Sequence, residues 1–134
     1  MRGRRILLVD DDVDFVDVVS HDIREGGHEV DIAYNGKDAL NLARNQTYGL
    51  VLLDVMMPEL DGYKVCEAIR RIERNRDVPV IMLTAVADHV TETRYSHRDM
   101  LESESDDYLA KPVSQEELLE RIEHWFRLEE QSGA

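Results

Sequence analysis

Three runs in the chain have no polar face. They are Ile6-Leu-Leu-Val9, Leu50-Val-Leu-Leu53 and Pro79-Val-Ile-Met-Leu83. A strand with one wet face alternates apolar and polar positions. A run that is apolar throughout predicts a strand covered on both sides, as in a parallel sheet. Between these runs the period changes. Phe15, Val16, Val19 and Ile23 recur at helical spacing over about 13–25, and Gly26-Gly27 stops the pattern. His28 to Ala33 alternates as a half-buried strand, and Asn35-Gly36 turns the chain. Ala39, Leu40 and Ala43 mark a second helix. Val65, Ala68, Ile69 and Ile72 mark a third over about 62–74. Residues 86–103 have weak helical periodicity. Tyr108-Leu-Ala110 reads as a last short strand, and Leu118, Leu119, Ile122, Trp125 and Phe126 as the stripe of a helix over about 115–128.

Five strands alternating with five helices predict a doubly wound α/β domain. Its five-stranded sheet is parallel, its crossovers right-handed, and its helices lie on both faces. The expected limits are a tail at 1–5, the domain at 6–128 and a tail at 129–134.

Composition narrows the function. The chain has 134 residues, 43% hydrophobic and 34% charged, enough for one domain with one core. A net charge of -13 argues against direct nucleic-acid contacts and against binding to an anionic membrane. Cys66 is the single cysteine, so no internal disulfide can form, which fits a reducing, cytoplasmic setting. The apolar run after the basic start ends at Asp10, too short for a signal-peptide core. The chain reads as a stand-alone unit or as a piece of a longer protein.

The chemistry lies where strands end. In a parallel sheet all carboxyl ends share one edge, where ligands bind in open α/β folds. The first strand delivers Asp10 and Asp11 there, the third Asp54, the fourth Thr84 and the fifth Lys111. Each alone has a bland reading. The acidic triplet Asp10-Asp11-Asp12 can be a helix-capping turn, Asp54 and Thr84 can each cap the next element, and Lys111-Pro112 can be a plain turn. Together they place three carboxylates, a hydroxyl and an ammonium in one crevice. Two carboxylates about 4 Å apart repel by roughly 4 kcal/mol at intermediate dielectric, and a hard divalent cation relieves that. Such a cation also neutralises a phosphoryl group in flight, and a carboxylate can serve as the nucleophile.

With these blocks in view, from ILLVDDD through LLDVMMPELDGY and VIMLTA to DDYLAKP, the sequence resembles the receiver domains of bacterial two-component response regulators. The resemblance implies a flavodoxin-like sheet in the order 2-1-3-4-5. It implies that Asp54 takes a phosphoryl group from the phosphohistidine of a sensor kinase or phosphotransfer protein. Asp10, Asp11, Asp54 and the backbone carbonyl of Met56 would hold Mg²⁺ or Mn²⁺. Lys111, placed by a cis bond to Pro112, would contact the phosphoryl group. Thr84 and Tyr108 would form a switch pair that remodels the last two strand–helix units. The implied output is a downstream protein target or an attached domain, with phosphorylation-dependent homodimerisation as a further expectation. Met56 and Val86, two places after Asp54 and Thr84, are apolar, which predicts a long-lived phosphorylated state.

The segment between Thr84 and Tyr108 is longer than the resemblance implies. It also has Glu104 where a helix-ending glycine is expected, so the helix there is expected to be extended, kinked or partly disordered. Among His89, Tyr95, His97 and Asp99 within it, solvated surface is favoured over a metal site. Three rival functions stay open: a receiver-like module that binds partners without phosphorylation, a hydrolase resembling haloacid dehalogenase phosphatases, and a flavin-binding module. The hydrolase lacks the final hydroxyl or valine of its first-strand motif. The flavin module would need a phosphate-cradling loop where three aspartates stand.

Overall fold

The computed structural model describes residues 4–85 and 104–132. The expectations for residues 86–103, including the helix there, Val86 and the histidines, lie outside the described residues. Five strands, β1 (Ile6–Val9), β2 (Val30–Ala33), β3 (Leu50–Asp54), β4 (Val80–Ala85) and β5 (Asp107–Lys111), form one sheet in the order β2-β1-β3-β4-β5. Every neighbouring pair is parallel. Among the described residues four α-helices flank it: α1 (Val13–Glu25), α2 (Gly36–Asn45), α3 (Gly62–Ile69) and α4 (Gln115–Ser132).

The apolar runs are covered on both faces, as their pattern requires. One core joins Leu7, Val9, Val51, Leu53 and Met82 to Ala39 and Ala43 of α2 and to Val65, Cys66 and Ile69 of α3. The other joins Ile6, Leu8, Leu50, Leu52, Ile81 and Leu83 to Val16, Val19 and Ile23 of α1 and to Leu118, Ile122 and Phe126 of α4. Alternate strand residues thus feed opposite layers.

Local chemistry sets the helix ends. Asp12, Asn35 and Asp61 cap α1, α2 and α3, each accepting a backbone N–H three residues on. Ser114 does the same for α4 through the Glu117 N–H at 3.1 Å. At the end of α1 the Gly27 N–H bonds the Arg24 carbonyl and the His28 N–H bonds the Ile23 carbonyl. With Gly27 at φ 89, this is a Schellman stop.

Three boundaries differ from the sequence pattern. β2 starts at Val30, not His28, because the His28 N–H is spent on closing α1. α3 ends at Ile69, and Ile72 reaches the core from extended backbone before a 3₁₀ turn at Glu73–Asn75. The 115–128 helix continues through Ser132, so the expected tail at 129–134 is helical for four more residues. Apolar spacing stops near Leu128, but Glu129, Glu130 and Gln131 are good helix formers, and Glu130 pairs with Arg4.

Candidate functional site

The parallel register brings the strand ends together. Val9 pairs with Leu53 across β1 and β3, so Asp10 and Asp54 emerge side by side. Asp54 pairs with Leu83, and Ala85 with Lys111, so Thr84 and Lys111 reach the same edge. Parity then sorts the side chains. Asp10, Asp54 and Lys111 continue the α1/α4 face, following Leu8, Leu52 and Leu109. Thr84 and Tyr108 share the parity of Met82, whose core lies on the α2/α3 face.

The three aspartates of the triplet have three different positions. Asp10 is fully buried, and its Oδ1 accepts the Asp12 N–H at 3.0 Å. Asp11 is exposed. Asp12 caps α1 by accepting the Phe15 N–H at 3.1 Å. The capping reading of the triplet therefore holds for one residue of the three.

Asp54 is 4% exposed. The loop beyond it folds straight back, with the Gly62 N–H bonding the Val55 carbonyl at 2.9 Å. A Cβ on Gly62 would lie 2.2 Å from the Asp54 carbonyl oxygen, so only glycine permits this approach. Glu59, within the loop, has φ 69, in the left-handed region.

The Lys111 Nζ lies 2.8 Å from Asp10 Oδ2 and 3.2 Å from Asp54 Oδ1. Asp10 Oδ2 has no well-aligned hydrogen bond, so it is held by charge more than by a directed donor. Burial pushes Asp54 up to about 7, and the Asp10 charge adds to this. The Lys111 ammonium and the Met56 N–H oppose it. Burial also raises Asp10, against the pull of Lys111. For Lys111, burial alone would lower the value, but its close pairing with Asp10 and the Asp54 charge outweigh it and the ammonium is stabilised.

Carboxylate oxygens of Asp10, Asp11 and Asp54 lie within 4.8 Å of one another. All-oxygen donors, two of them buried with excess negative charge, fit a hard divalent cation. The under-satisfied Asp10 Oδ2 supports the fit. Thr84 is 3% exposed, and Met56 is half-buried. The half-buried Tyr108 has its hydroxyl 3.2 Å from Ser105 Oγ, toward the start of β5. The Lys111–Pro112 peptide bond is cis. Reasoning from sequence missed Gly62, Glu59 and Phe15. The Phe15 ring centre lies 4.6 Å from Lys111 Nζ. Its helical spacing carried a packing signal and nothing more.

Residues 6–123 match the model of the response regulator receiver domain. Over 118 residues the chain is 39% identical to the DNA-binding dual master transcriptional regulator RpaA of Synechocystis sp., covering 88% of this chain and 47% of that protein. It is 35% identical over 129 residues to the response regulator ArlR of Staphylococcus saprophyticus, covering 96% and 55%. The chain thus spans about half the length of these curated relatives. Among solved structures it resembles the receiver domain of a sensor histidine kinase from Pseudomonas aeruginosa PAO1. The TM-score is 0.81 and the identity 34%, covering 93% of this chain and 98% of that one, and that structure holds a magnesium ion in its active-site cleft. A CheY-like receiver protein from Methanospirillum hungatei JF-1 superposes with TM-score 0.80 at 27% identity, covering 96% and 97%. These matches do not favour the hydrolase, flavin or phosphorylation-independent readings.

Proposed function

The chain belongs to the response regulator receiver family, and on that footing we propose that Asp54 is the carboxylate that accepts the phosphoryl group. The observation that carries this is the Lys111 ammonium held between Asp10 and Asp54, 2.8 and 3.2 Å from their oxygens. A buried nucleophile with a positive point beside it, at the carboxyl end of a strand, is arranged for a charged electrophile.

In the proposed step an ionised Asp54 oxygen attacks the phosphorus of a phosphohistidine. The P–N bond breaks, its electron pair returns to the imidazole, which takes up a proton, and an acyl phosphate forms on Asp54. Asp10, Asp11, Asp54 and the Met56 carbonyl would hold Mg²⁺, with Mn²⁺ as a substitute, and the bound ion supplies charge neutralisation for the phosphoryl oxygens. Lys111, beside Asp54, neutralises part of the new charge. Thr84 donates its hydroxyl to a phosphoryl oxygen, and Tyr108 reorients in response. Thr84 is on β4 and Tyr108 on β5, so a phosphoryl group on Asp54 biases the surface of the last two strand–helix units and shifts a population rather than building a new structure.

The unit is a signalling switch whose catalysis is confined to its own phosphorylation and dephosphorylation. Its partners are a sensor histidine kinase or phosphotransfer protein and a downstream protein or output domain, with homodimerisation of the phosphorylated form included. The chemistry fits the cytoplasm, and among the described residues no helix is long and apolar enough to cross a membrane. With apolar side chains at Met56 and Val86, neither can orient an attacking water. Replacing both with polar residues is expected to shorten the lifetime of the phosphorylated state.

The deciding experiment is intact mass after incubation with acetyl phosphate and Mg²⁺. One added phosphoryl group is expected, absent in Asp54→Asn and absent with EDTA. No gain under any condition, with Mg²⁺ still bound, would overturn the assignment.

A further inference from the structure

The geometry points to Phe15 as a positioning residue for Lys111: its ring face holds the ammonium beside Asp54 through a cation–π contact. The inference rests on Asp54 being the phosphoacceptor. Phe15 stands in the first turn of α1, half-buried against the α1/α4 core. Its ring centre is 4.6 Å from Lys111 Nζ, within the range of a cation–π attraction. The Lys111 side chain is 20% exposed, so the ring also covers the ammonium from water.

The placement of the ring is tied to the site by a short chain of hydrogen bonds. The Asp12 N–H bonds Asp10 Oδ1 at 3.0 Å, and the Phe15 N–H bonds Asp12 Oδ1 at 3.1 Å. The backbone that carries the acidic pocket therefore also carries the ring, in one register. A π-face suits this task better than another carboxylate. It attracts the ammonium but takes no directed N–H bond from it and adds no net negative charge. The lysine donors stay available to Asp10 and Asp54, and then to phosphoryl oxygens. An aliphatic residue of similar size would fill the same core space and leave the flexible lysine head free to turn toward water.

The plainer reading is that Phe15 only packs, and a fluorination series separates the two. Phe15 is replaced in the full chain by 4-fluoro-, 3,5-difluoro- and 3,4,5-trifluorophenylalanine, which nearly keep shape and apolarity but progressively weaken the negative ring face. Phosphorylation by acetyl phosphate with Mg²⁺ is timed by intact mass. The Mg²⁺ affinity and Tm of each variant are measured beside it. The expected result is a stepwise slowing, roughly threefold to tenfold over the series, with Mg²⁺ affinity and Tm unchanged. The Lys111 methylene proton resonances are expected to move downfield together with the loss of rate in Phe15→Leu, where the ring current is gone. A flat rate across the series, even with a slow Phe15→Leu, would overturn the proposal and leave Phe15 a packing residue. Failure of the unsubstituted protein to gain a phosphoryl group would instead defeat the phosphoacceptor assignment, a different and distinguishable result.

Discussion

The two edges of the sheet treat buried charge in opposite ways. At the carboxyl edge Asp54 faces Asp10 with Lys111 between them, and burial together with the Asp10 charge lifts Asp54 to about 7. At the amino edge burial would also raise Asp107, but three donors outweigh it. The Trp125 Nε1–H at 2.8 Å, the Tyr108 N–H at 2.8 Å and Arg121 at 2.9 Å hold this carboxyl below its ordinary range. The same edge satisfies several other buried polar groups. The fully buried Asn75 accepts the Tyr48 N–H and donates to the carbonyls of Ala43 and Gln46. The Tyr48 hydroxyl donates to Asp31, which Arg5 also holds. Arg70 ties the Val78 and Glu104 carbonyls to Asp106. One edge spends its polar groups on holding the fold. The other leaves electrostatic demand unmet, and that unmet demand is what a cation and a phosphoryl group can satisfy.

The contrast breaks first at Gly62. Gly62→Ala drives a Cβ into the Asp54 carbonyl, where backbone must move. A loss of about 3 kcal/mol in chemical denaturation is expected, together with a slowing of phosphorylation of at least roughly tenfold. Undiminished phosphorylation would mean that the loop tolerates displacement and does not position Asp54.

Asn75→Ala tests the other edge. It strands one N–H and two carbonyls and should lower stability by roughly 3 kcal/mol, while phosphorylation of the folded protein stays at the wild-type rate. A change in rate would mean that the edges are coupled.

Asp54→Asn should move stability the other way. The folded value of about 7 lies above the ordinary 3.8. The stability linked to its proton is therefore complete below about pH 4 and lost as pH rises through 7. In EDTA the mutant should exceed the wild type by up to about 4 kcal/mol at pH 8, and the gap should close toward pH 4. Saturating Mg²⁺ should erase the advantage. A mutant less stable at every pH would show that Lys111 already offsets the burial of Asp54.

Asp107→Asn is the smallest expected change and has the opposite pH slope. Its folded value is lowered, so its contribution is present above the ordinary carboxylate range and lost as pH falls through the lowered value. A cost of about 1 kcal/mol at pH 7, fading in acid below about pH 4, is expected from urea midpoints. A cost that persists in acid would assign the effect to Trp125 packing.

Much of this was legible in residue order. All-apolar runs demanded a sheet covered on both faces, and helical spacing between them demanded crossovers. That combination delivers Asp10, Asp54, Thr84 and Lys111 to one edge whatever the packing details, because parallel strands have their carboxyl ends in common. The Gly26-Gly27 stop is local chemistry and was readable as such. What tertiary structure alone decided are relations between residues distant in sequence. Asp11 and Asp12 are the same residue type beside each other, yet only packing makes one a member of the acidic cluster and the other a cap. Gly62 is ordinary until the loop closes on the Asp54 backbone. Asn75 is a polar residue in a charged stretch until three strangers need its amide. Asp54 and Asp107 have the same side chain and ordinary value, and opposite shifts, because one was buried against another carboxylate and the other among donors. Periodicity reports which face a residue occupies. It is silent on who stands opposite, and that sets charge state and function.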